Sequence, residues 1–296
     1  MEPIDALRKA GSIASTIRTR IRGDVKPGVK IIDICDSVEE MTAELGGRPA
    51  FPCNVDIDRV AAHYTATVAD GSTVPEKSLV KVDIGVHVEG YIADTAITIC
   101  LNPELQYYVD AAEAALEEAI RNVRTGVRAS VIGAAIEQTI KGRGLKPIRN
   151  LTGHKLARFI VHAGRSIPNV GGLDNHALEE DEVYAIEPFT VPPNAAGEVC
   201  DGALSNIYRF DKKRGVSDRS KEMLRFIQSE YRTLPFASRW VLRKFPGLDG
   251  VRAFNELLSS RIIDGYPQLV EKSNAVVAQA EHTVIVKAEG CEVTTR

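Results

Sequence analysis

The sequence predicts an α+β fold with an antiparallel sheet, outer helices and a helical insertion. Three observations support this prediction. Two helical patterns precede a long β-hairpin at residues 79–100, the same order of helices and strands returns after residue 102, and short helices at 209–263 interrupt the second half. The two halves share no visible sequence identity, so the repeat concerns only the order of the elements.

The first half begins with two helical patterns, at about 4–22 and 30–45, separated by the helix-breaking stretch Lys26-Pro-Gly28. The hairpin that follows is dense in β-branched residues, which favour strands. It changes direction at Glu89-Gly90, a pair suited to a two-residue turn. We therefore expect two outer helices and a pair of long antiparallel strands.

The second half begins at Asn102-Pro103, where an N-cap residue precedes proline at the first helical position. Another helix is predicted from Ser130 to the glycines at 142–144, and strands are predicted around 182–200. This half therefore repeats the order of the first.

Residues 209–263 are expected to form an insertion of short helices. The helices are predicted around 217–231, 236–244 and 251–263, with breaks at Pro235 and Pro246-Gly247. Residues 209–244 contain 11 Lys or Arg and 4 Asp or Glu, a local net charge of +7. Such a run usually forms a solvated helix face.

The composition excludes several classes of protein. The chain has 296 residues, 44% of them hydrophobic and 26% charged, with a net charge of -3, as is typical of a globular enzyme. Its five cysteines include no Cys-x-x-Cys pair, so neither a disulfide framework nor a thiolate zinc site is indicated. No apolar run approaches the roughly 18 residues of a membrane span. We expect a cytoplasmic location and neither a membrane nor a DNA partner.

Two acidic residues stand out in the hairpin. A turn at Glu89-Gly90 sets Asp83 opposite Ala96, and Asp94 then lies on the same face as Asp83, one diagonal step of roughly 7–8 Å away. Hydrophobic side chains fill the other face. Either aspartate alone would usually mark a strand end or pair with a basic side chain, but together the two can converge on one point.

Three more residues with ligand-type side chains lie in or beside strand-like runs: His154, Glu187 and Glu281. Four carboxylates carry a charge that two divalent cations would neutralise, and the imidazole adds a nitrogen ligand. This balance suits two metal ions about 3.5–4 Å apart. The spacing of the five residues matches no short metal-binding motif, so the pattern alone leaves the metal site a hypothesis.

The chain also resembles the type 2 methionine aminopeptidases, in their short archaeal form, over essentially its whole length. The matching stretches are Phe51–Asn54, Ala61–Thr65, Val82–His87, Ile92–Thr95, Gly153-His154, Val161–Gly164, Ala185–Phe189, Leu234–Phe236, Arg239-Trp240 and Ala280–Thr283. The resemblance implies a pseudo-twofold pita-bread fold, with residues 1–296 as one catalytic domain and 209–263 as a helical insertion subdomain. It also implies the metal ligands Asp83, Asp94, His154, Glu187 and Glu281.

The activity implied is removal of the initiator methionine from nascent chains and peptides. A hydroxide bridging two divalent ions (Co, Mn, Fe or Zn) would attack the first peptide carbonyl. Glu187 would act as general base, His162 would hydrogen-bond the scissile peptide, and His63 would steady the intermediate or the leaving amine. Without the resemblance, His63 and His162 would be interpreted as interior side chains.

The resemblance further implies a methionine pocket and a small second residue in the substrate. The residues expected to contact the substrate are Phe51, His63, Val161, His162 and Tyr266. Among the other histidines, we expect His87 near the turn and His176 in a polar loop to be solvated, and His282 to face away from the metals. Cys53 either faces the pocket or serves as a small buried hydrophobe.

Two rival functions remain open. Prolidases and X-Pro aminopeptidases share the fold and the ligand set, although they normally carry a further N-terminal domain that 296 residues leave no room for. A pita-bread protein that has lost catalysis and binds RNA or protein is the second. A separate hypothesis concerns the basic run at 209–244, which would dock near ribosomal RNA where nascent chains emerge instead of forming only a solvated helix face.

Overall fold

The structure is a computed structural model that describes residues 1–212 and 215–296. Lys213 and Arg214, two members of the basic run, lie outside the described residues. Among the described helices, none is long and apolar enough to cross a membrane.

The helices follow the predicted order. They are α1 (Pro3–Ile21), α2 (Ile31–Glu44), α3 (Gln106–Asn122), α4 (Ala129–Gly142), α5 (Asp218–Glu230), α6 (Ser238–Lys244) and α7 (Gly247–Ser259). A 3-10 turn, Pro103–Leu105, precedes α3, and the Asn102 side chain accepts a hydrogen bond from the Glu104 amide. The predicted cap is therefore confirmed, although the first turn is 3-10 rather than α-helical.

The strands pair in antiparallel fashion in four sheets. They are β1 (Arg48–Pro49), β2 (Asn54–Ile57), β3 (Val60–Ala62), β4 (Leu79–Val88), β5 (Tyr91–Cys100), β6 (Lys146–Pro147), β7 (Thr152–Leu156), β8 (Ser166–Pro168), β9 (Val183–Ile186), β10 (Phe189–Val191), β11 (Val199–Phe210), β12 (Phe236–Ala237), β13 (Ile263–Glu271), β14 (Ala278–Gln279), β15 (His282–Lys287) and β16 (Gly290–Val293).

The first half places α1 and α2 against the β4–β5 hairpin. The turn has φ of 52° at Glu89 and 90° at Gly90, as a two-residue turn with two left-handed positions requires. Asp83 pairs with Ala96 and Gly85 with Asp94, so the predicted register is confirmed. The face of the hairpin opposite the acids, including Val82, Ile84 and Val86, is buried beneath the helices.

The second half repeats this arrangement. Helices α3 and α4 pack together and cover the sheet β16-β15-β9-β7-β8, with Ile132, Tyr184 and Val284 buried between the two layers. Each half thus contributes one sheet covered on its outer side by a helix pair. The candidate ligands lie where the two halves meet.

A third sheet, β12-β11-β13-β3, carries α5, α6 and α7, which share a hydrophobic cluster that includes Phe236, Val241 and Phe254. The predicted boundaries were wrong in several places. Arg209 and Phe210 belong to β11, and Phe236 and Ala237 form β12, because both segments pair in this sheet. Helix α7 ends at Ser259, since Ile263 already pairs with Phe210.

Candidate metal centre

The five predicted ligands come from five different segments that meet between the halves. Asp83 and Asp94 lie on β4 and β5, and His154 lies on β7. Glu187 follows β9, and Glu281 stands between β14 and β15. Asp94, His154 and Glu281 are buried, whereas Asp83 and Glu187 are half-buried, and all five line one pocket.

Threonine side chains fasten β5 to the segment that carries Glu281. The Thr283 hydroxyl accepts a hydrogen bond from the Asp94 amide and donates one to the Asp94 carbonyl, both at 2.8 Å. Thr95 donates to the Glu281 carbonyl at 2.7 Å, and Thr98 donates to the Gln279 carbonyl at 2.6 Å. These contacts fix the backbones of Asp94 and Glu281 relative to each other, although each belongs to a different half.

The side chains converge closely enough for one ion to contact several of them. Ligand atoms of Asp94, His154 and Glu281 all lie within 4.8 Å of one another. His154 Nε2 lies 3.6 Å from a carboxylate oxygen of Asp94 and 3.7 Å from one of Glu187. The structure therefore brings together Asp94, His154, Glu187 and Glu281. Asp83 faces the same pocket and is diagonal to Asp94 on the hairpin.

The acids of this cluster have no Lys or Arg partner within the described residues. One oxygen each of Asp83, Asp94 and Glu281 is buried without a hydrogen bond to this part of the chain. The nearest buried cation along the sequence, Lys81, donates instead to the carbonyls of Asp58 and Val277, at 3.1 and 3.0 Å. An uncompensated group of carboxylates is costly to bury, and a divalent cation would compensate it.

Burial is the largest cause of the raised pKa of each of these acids. Burial raises the pKa of Asp83 to about 7. Burial, followed by repulsion from Asp83 and Glu187, raises the pKa of Asp94 well above its usual range. The pKa of Glu281 is raised by burial and then by Asp94. Carboxylate oxygens with one imidazole nitrogen form a donor set that suits divalent first-row metals, so the residues present fit such ions.

Two neighbouring side chains support this acidic cluster. The Gln279 amide donates to Glu187 Oε2 at 3.2 Å, and the Asn54 amide donates to Asp83 Oδ2 at 3.4 Å. Neither residue was among the predicted site residues. Asn54 lies directly across from Asp83 in the β2–β4 pairing, a register that the sequence did not reveal.

Both predicted catalytic histidines lie at the same pocket and are neutral near pH 7. Burial, followed by the proximity of His162, lowers the pKa of His63 to about 4. Burial, followed by Arg209, lowers the pKa of His162. The His162 ring packs on His154 with centroids 4.2 Å apart. His63 has φ of 73° and its ring contacts the edge of Tyr266. A neutral imidazole can donate one hydrogen bond and accept another.

The pocket next to the acids has a largely apolar wall. The predicted residues Phe51, His63, Val161, His162 and Tyr266 all line it. It also contains residues that were not named as site residues from the sequence: Asn54, Ala62, Ile207 and Pro235. Ile207 and Pro235 come from β11 and from the segment before β12. They reach the pocket through long-range pairing, for which the local sequence offers no signal.

The remaining histidine and cysteine predictions had mixed outcomes. His87 is buried, with its Nδ1 3.1 Å from the Gly90 amide and its ring against Phe159, so the predicted solvation was wrong. His176 is half-buried beside Asp174 instead of fully exposed. His282 contacts Arg18 and Thr295, consistent with the alternation along β15. Cys53 is buried in the core of the first half and does not line the pocket.

Comparison with known proteins gives a consistent result. Residues 5–288 match the model of metallopeptidase family M24. The chain is 44% identical to the methionine aminopeptidase of Methanothermobacter thermautotrophicus, covering 99% of this chain and 98% of the relative. It is also 44% identical to that of Thermococcus kodakarensis, covering 100% of both chains.

A crystal structure of methionine aminopeptidase from Rickettsia prowazekii superposes with a TM-score of 0.72 at 19% identity, covering 99% of this chain and 97% of that one. At this identity the likeness shows the fold, which is the pita-bread fold predicted from the sequence. The family match and the two relatives extend over nearly the whole chain, and therefore this protein belongs to metallopeptidase family M24.

Proposed function

We propose that this chain removes the N-terminal initiator methionine from nascent proteins and peptides, with a preference for a small second residue. The observation that carries the proposal is a cluster of carboxylates and one imidazole to which the described residues offer no Lys or Arg partner, placed at a largely apolar pocket in a member of a metallopeptidase family. The curated relatives that match the full chain are named methionine aminopeptidases.

The proposed metal ligands are Asp83, Asp94, His154, Glu187 and Glu281. When bound, two divalent ions would polarise the first peptide carbonyl and lower the pKa of a water molecule toward neutrality. The donor set accepts Co, Mn, Fe or Zn, because one imidazole with several carboxylates is selective for none of them. Cellular supply would then decide which ion is used.

Glu187 is the proposed general base. Its Oε2 accepts a hydrogen bond from Gln279, and its Oε1 lies 3.7 Å from His154 Nε2, so its carboxylate is held at the inner end of the pocket. From there it can take a proton from an attacking water and return it to the leaving amine. His162 would donate a hydrogen bond to the scissile peptide, and His63 to the developing negative charge, which neutral imidazoles can do.

Substrate choice follows from the walls of the pocket. Phe51, Val161 and Tyr266 offer apolar surface for an unbranched thioether side chain. A pocket with these walls would accept one side chain and exclude chains that extend beyond the N-terminus.

The proposal is tested by methionine release from the peptide Met-Ala-Ser. Protein stripped with a chelator should release none, and added Co²⁺ or Mn²⁺ should restore release in the wild type but not in Asp94→Ala. Release from Met-Pro, with Met-Ala-Ser left intact, would instead indicate an X-Pro peptidase. If metal-loaded wild-type protein cleaves neither peptide, the proposal is wrong.

A cytoplasmic location and contact with ribosomes would follow from action on nascent chains. The exposed side chains of Arg219, Lys221 and Arg225 on α5 form part of the basic run available for such a contact. Cosedimentation with ribosomes should weaken as salt rises, because exposed charges are screened. The double change Arg219→Glu with Arg225→Glu should weaken it further. Binding that ignores both salt and charge reversal would contradict the ribosome proposal.

A further inference from the structure

Arg239 on α6 is fully buried, although it belongs to the basic run whose charges would ordinarily be solvated. Its guanidinium donates to Thr65 Oγ1 at 2.6 Å, to the Ala66 carbonyl at 3.1 Å and to the Glu39 carboxylate. A buried charge persists only when it is paired and hydrogen-bonded. The specific partners of Arg239 therefore indicate what the residue does.

Those partners hold a short stretch of backbone. Glu39 on α2 accepts hydrogen bonds from Trp240 Nε1 at 2.6 Å and from the Cys53 amide at 3.3 Å. Thr65 Oγ1 donates to the Cys53 carbonyl at 2.7 Å. Both backbone polar groups of Cys53 are thus bound by side chains that Arg239 itself binds, so Arg239 connects α6 to this backbone through two routes.

The residues on either side of Cys53 belong to the candidate site. Phe51 lines the pocket, and its ring lies on β4 so closely that a Cβ at Gly85 would be 2.3 Å from the ring. Asn54 donates to Asp83 Oδ2 at 3.4 Å. A shift of the Cys53 backbone would therefore move a pocket wall on one side and the partner of a proposed metal ligand on the other.

We propose that Arg239 is a positioning residue that acts through Glu39 and Thr65 to fix the segment Phe51–Asn54. The helical insertion then takes part in shaping the methionine pocket and orienting Asp83, beyond presenting an outer surface. This inference rests on the proposed aminopeptidase function for its kinetic consequences. The geometry of the segment itself can be tested without any activity.

Two variants test the connection at different points. Arg239→Lys keeps a positive charge near Glu39 but cannot also bind both Thr65 and Ala66, because an ammonium lacks the planar fork of donors. Thr65→Val is close in shape and removes only the hydroxyl that links Arg239 to Cys53. Lys244→Ala is the matched control, since Lys244 lies on the same helix with an exposed side chain, whereas Arg243 shares its partner Asp36 with Arg239.

For both test variants we expect KM for Met-Ala-Ser at saturating Mn²⁺ to rise about tenfold with a smaller change in kcat, which is the pattern of lost substrate binding. Hydrogen exchange of the amides in residues 51–56 should accelerate more than exchange in α3 and α4. Calorimetric titration of the metal-free variants with Mn²⁺ should show weaker binding than in the wild type. Lys244→Ala should match the wild type in all three measurements.

A role confined to stability would give a different result. Melting temperature would then fall while KM, the Mn²⁺ isotherm and local exchange stayed within twofold of the wild type in both variants, and this outcome would overturn the proposal. If wild-type protein with metal releases no methionine, the proposed function fails separately. The exchange and titration measurements would still decide whether Arg239 fixes the segment.

Discussion

Glu271 and the buried acids of the candidate metal centre differ in whether their carboxylate oxygens accept hydrogen bonds from the protein. Glu271, which is 1% exposed, accepts hydrogen bonds from the amides of Gly197, Ser273 and Ala275 and from the Ser273 hydroxyl. Although burial opposes ionisation, these bonds hold the pKa of Glu271 below its usual value. Glu281 is equally buried, yet its Oε2 has no partner in the described chain, and burial raises its pKa.

The positions of the two acids in the fold explain this difference. Glu271 lies at the end of β13, where the following turn directs free amides toward its carboxylate. Asp94 and Glu281 lie where strands cross the middle of the molecule, and their neighbouring amides are already used. The Asp94 amide donates to Thr283, and the Glu281 amide donates to the Ala96 carbonyl. Acids without spare donors nearby need a cation, whereas Glu271 is satisfied by the chain itself.

The largest expected effect is a difference in activity between two variants that each remove one negative charge, Asp94→Asn and Glu271→Gln. Asp94→Asn should lower kcat/KM for Met-Ala-Ser by more than the roughly 100-fold that changes outside the ligands of a metal cause. Glu271→Gln, assayed at the same Mn²⁺ concentration, should stay within a few-fold of the wild type. Similar losses in both variants would show that the two groups of acids do not differ in function.

Metal binding should raise the free energy of unfolding through the acids of the metal centre, such as Asp94, and not through Glu271. Mn²⁺ at about 100 times its dissociation constant should raise the free energy of unfolding of the wild type by about 2.7 kcal/mol. Asp94→Asn should gain less at the same concentration, and Glu271→Gln should gain as much as the wild type. Denaturant titrations with and without a chelator measure the difference. An unchanged wild-type midpoint after metal removal would contradict the expected role of the acids.

The sequence predicted one part of the metal centre much better than the rest. The pairing of Asp83 with Ala96 followed from a two-residue turn and the period of two along strands, which are local properties. The meeting of His154, Glu187 and Glu281 with this hairpin depends on contacts between the halves. Residue type and charge balance made this meeting a hypothesis, and the resemblance to a known family supported it, because no short spacing encodes such contacts.

Burial was the other property that local patterns could not predict. The charge run at 209–244 predicted a solvated face, and Arg239 is instead fully buried because Glu39 and Thr65 approach it from distant segments. His87 was expected to be solvated because it is near a turn, but the chain around Phe159 covers it. In both cases the partner that decides the outcome lies more than 70 residues away in sequence.

Glu271→Gln should lower stability by an amount typical of lost hydrogen bonds to a charged group. An amide cannot accept with both of its polar atoms, so at least one of the donors around residue 271 loses its acceptor. The expected loss in the free energy of unfolding at pH 7 is about 1.5–3 kcal/mol. Urea denaturation of the metal-free protein measures it, and Lys272→Ala, which removes an exposed partner of Glu198, is the control. If only Lys272→Ala lowered the free energy of unfolding, the stabilising role of the hydrogen bonds to Glu271 would be contradicted.

The smallest effect is the pH dependence of that loss. The pKa of Glu271 is lower in the folded protein than its ordinary value of 4.5, so the unfolded chain binds a proton first as pH falls. The stability that the carboxylate contributes is therefore complete above about pH 6 and is lost as pH falls below 4.5 through the folded pKa. The difference in unfolding free energy between the wild type and Glu271→Gln should shrink over this range, when both are measured without metal. If it grew toward low pH, Glu271 would have to be protonated in the folded state, and the contrast with Asp94 and Glu281 would disappear.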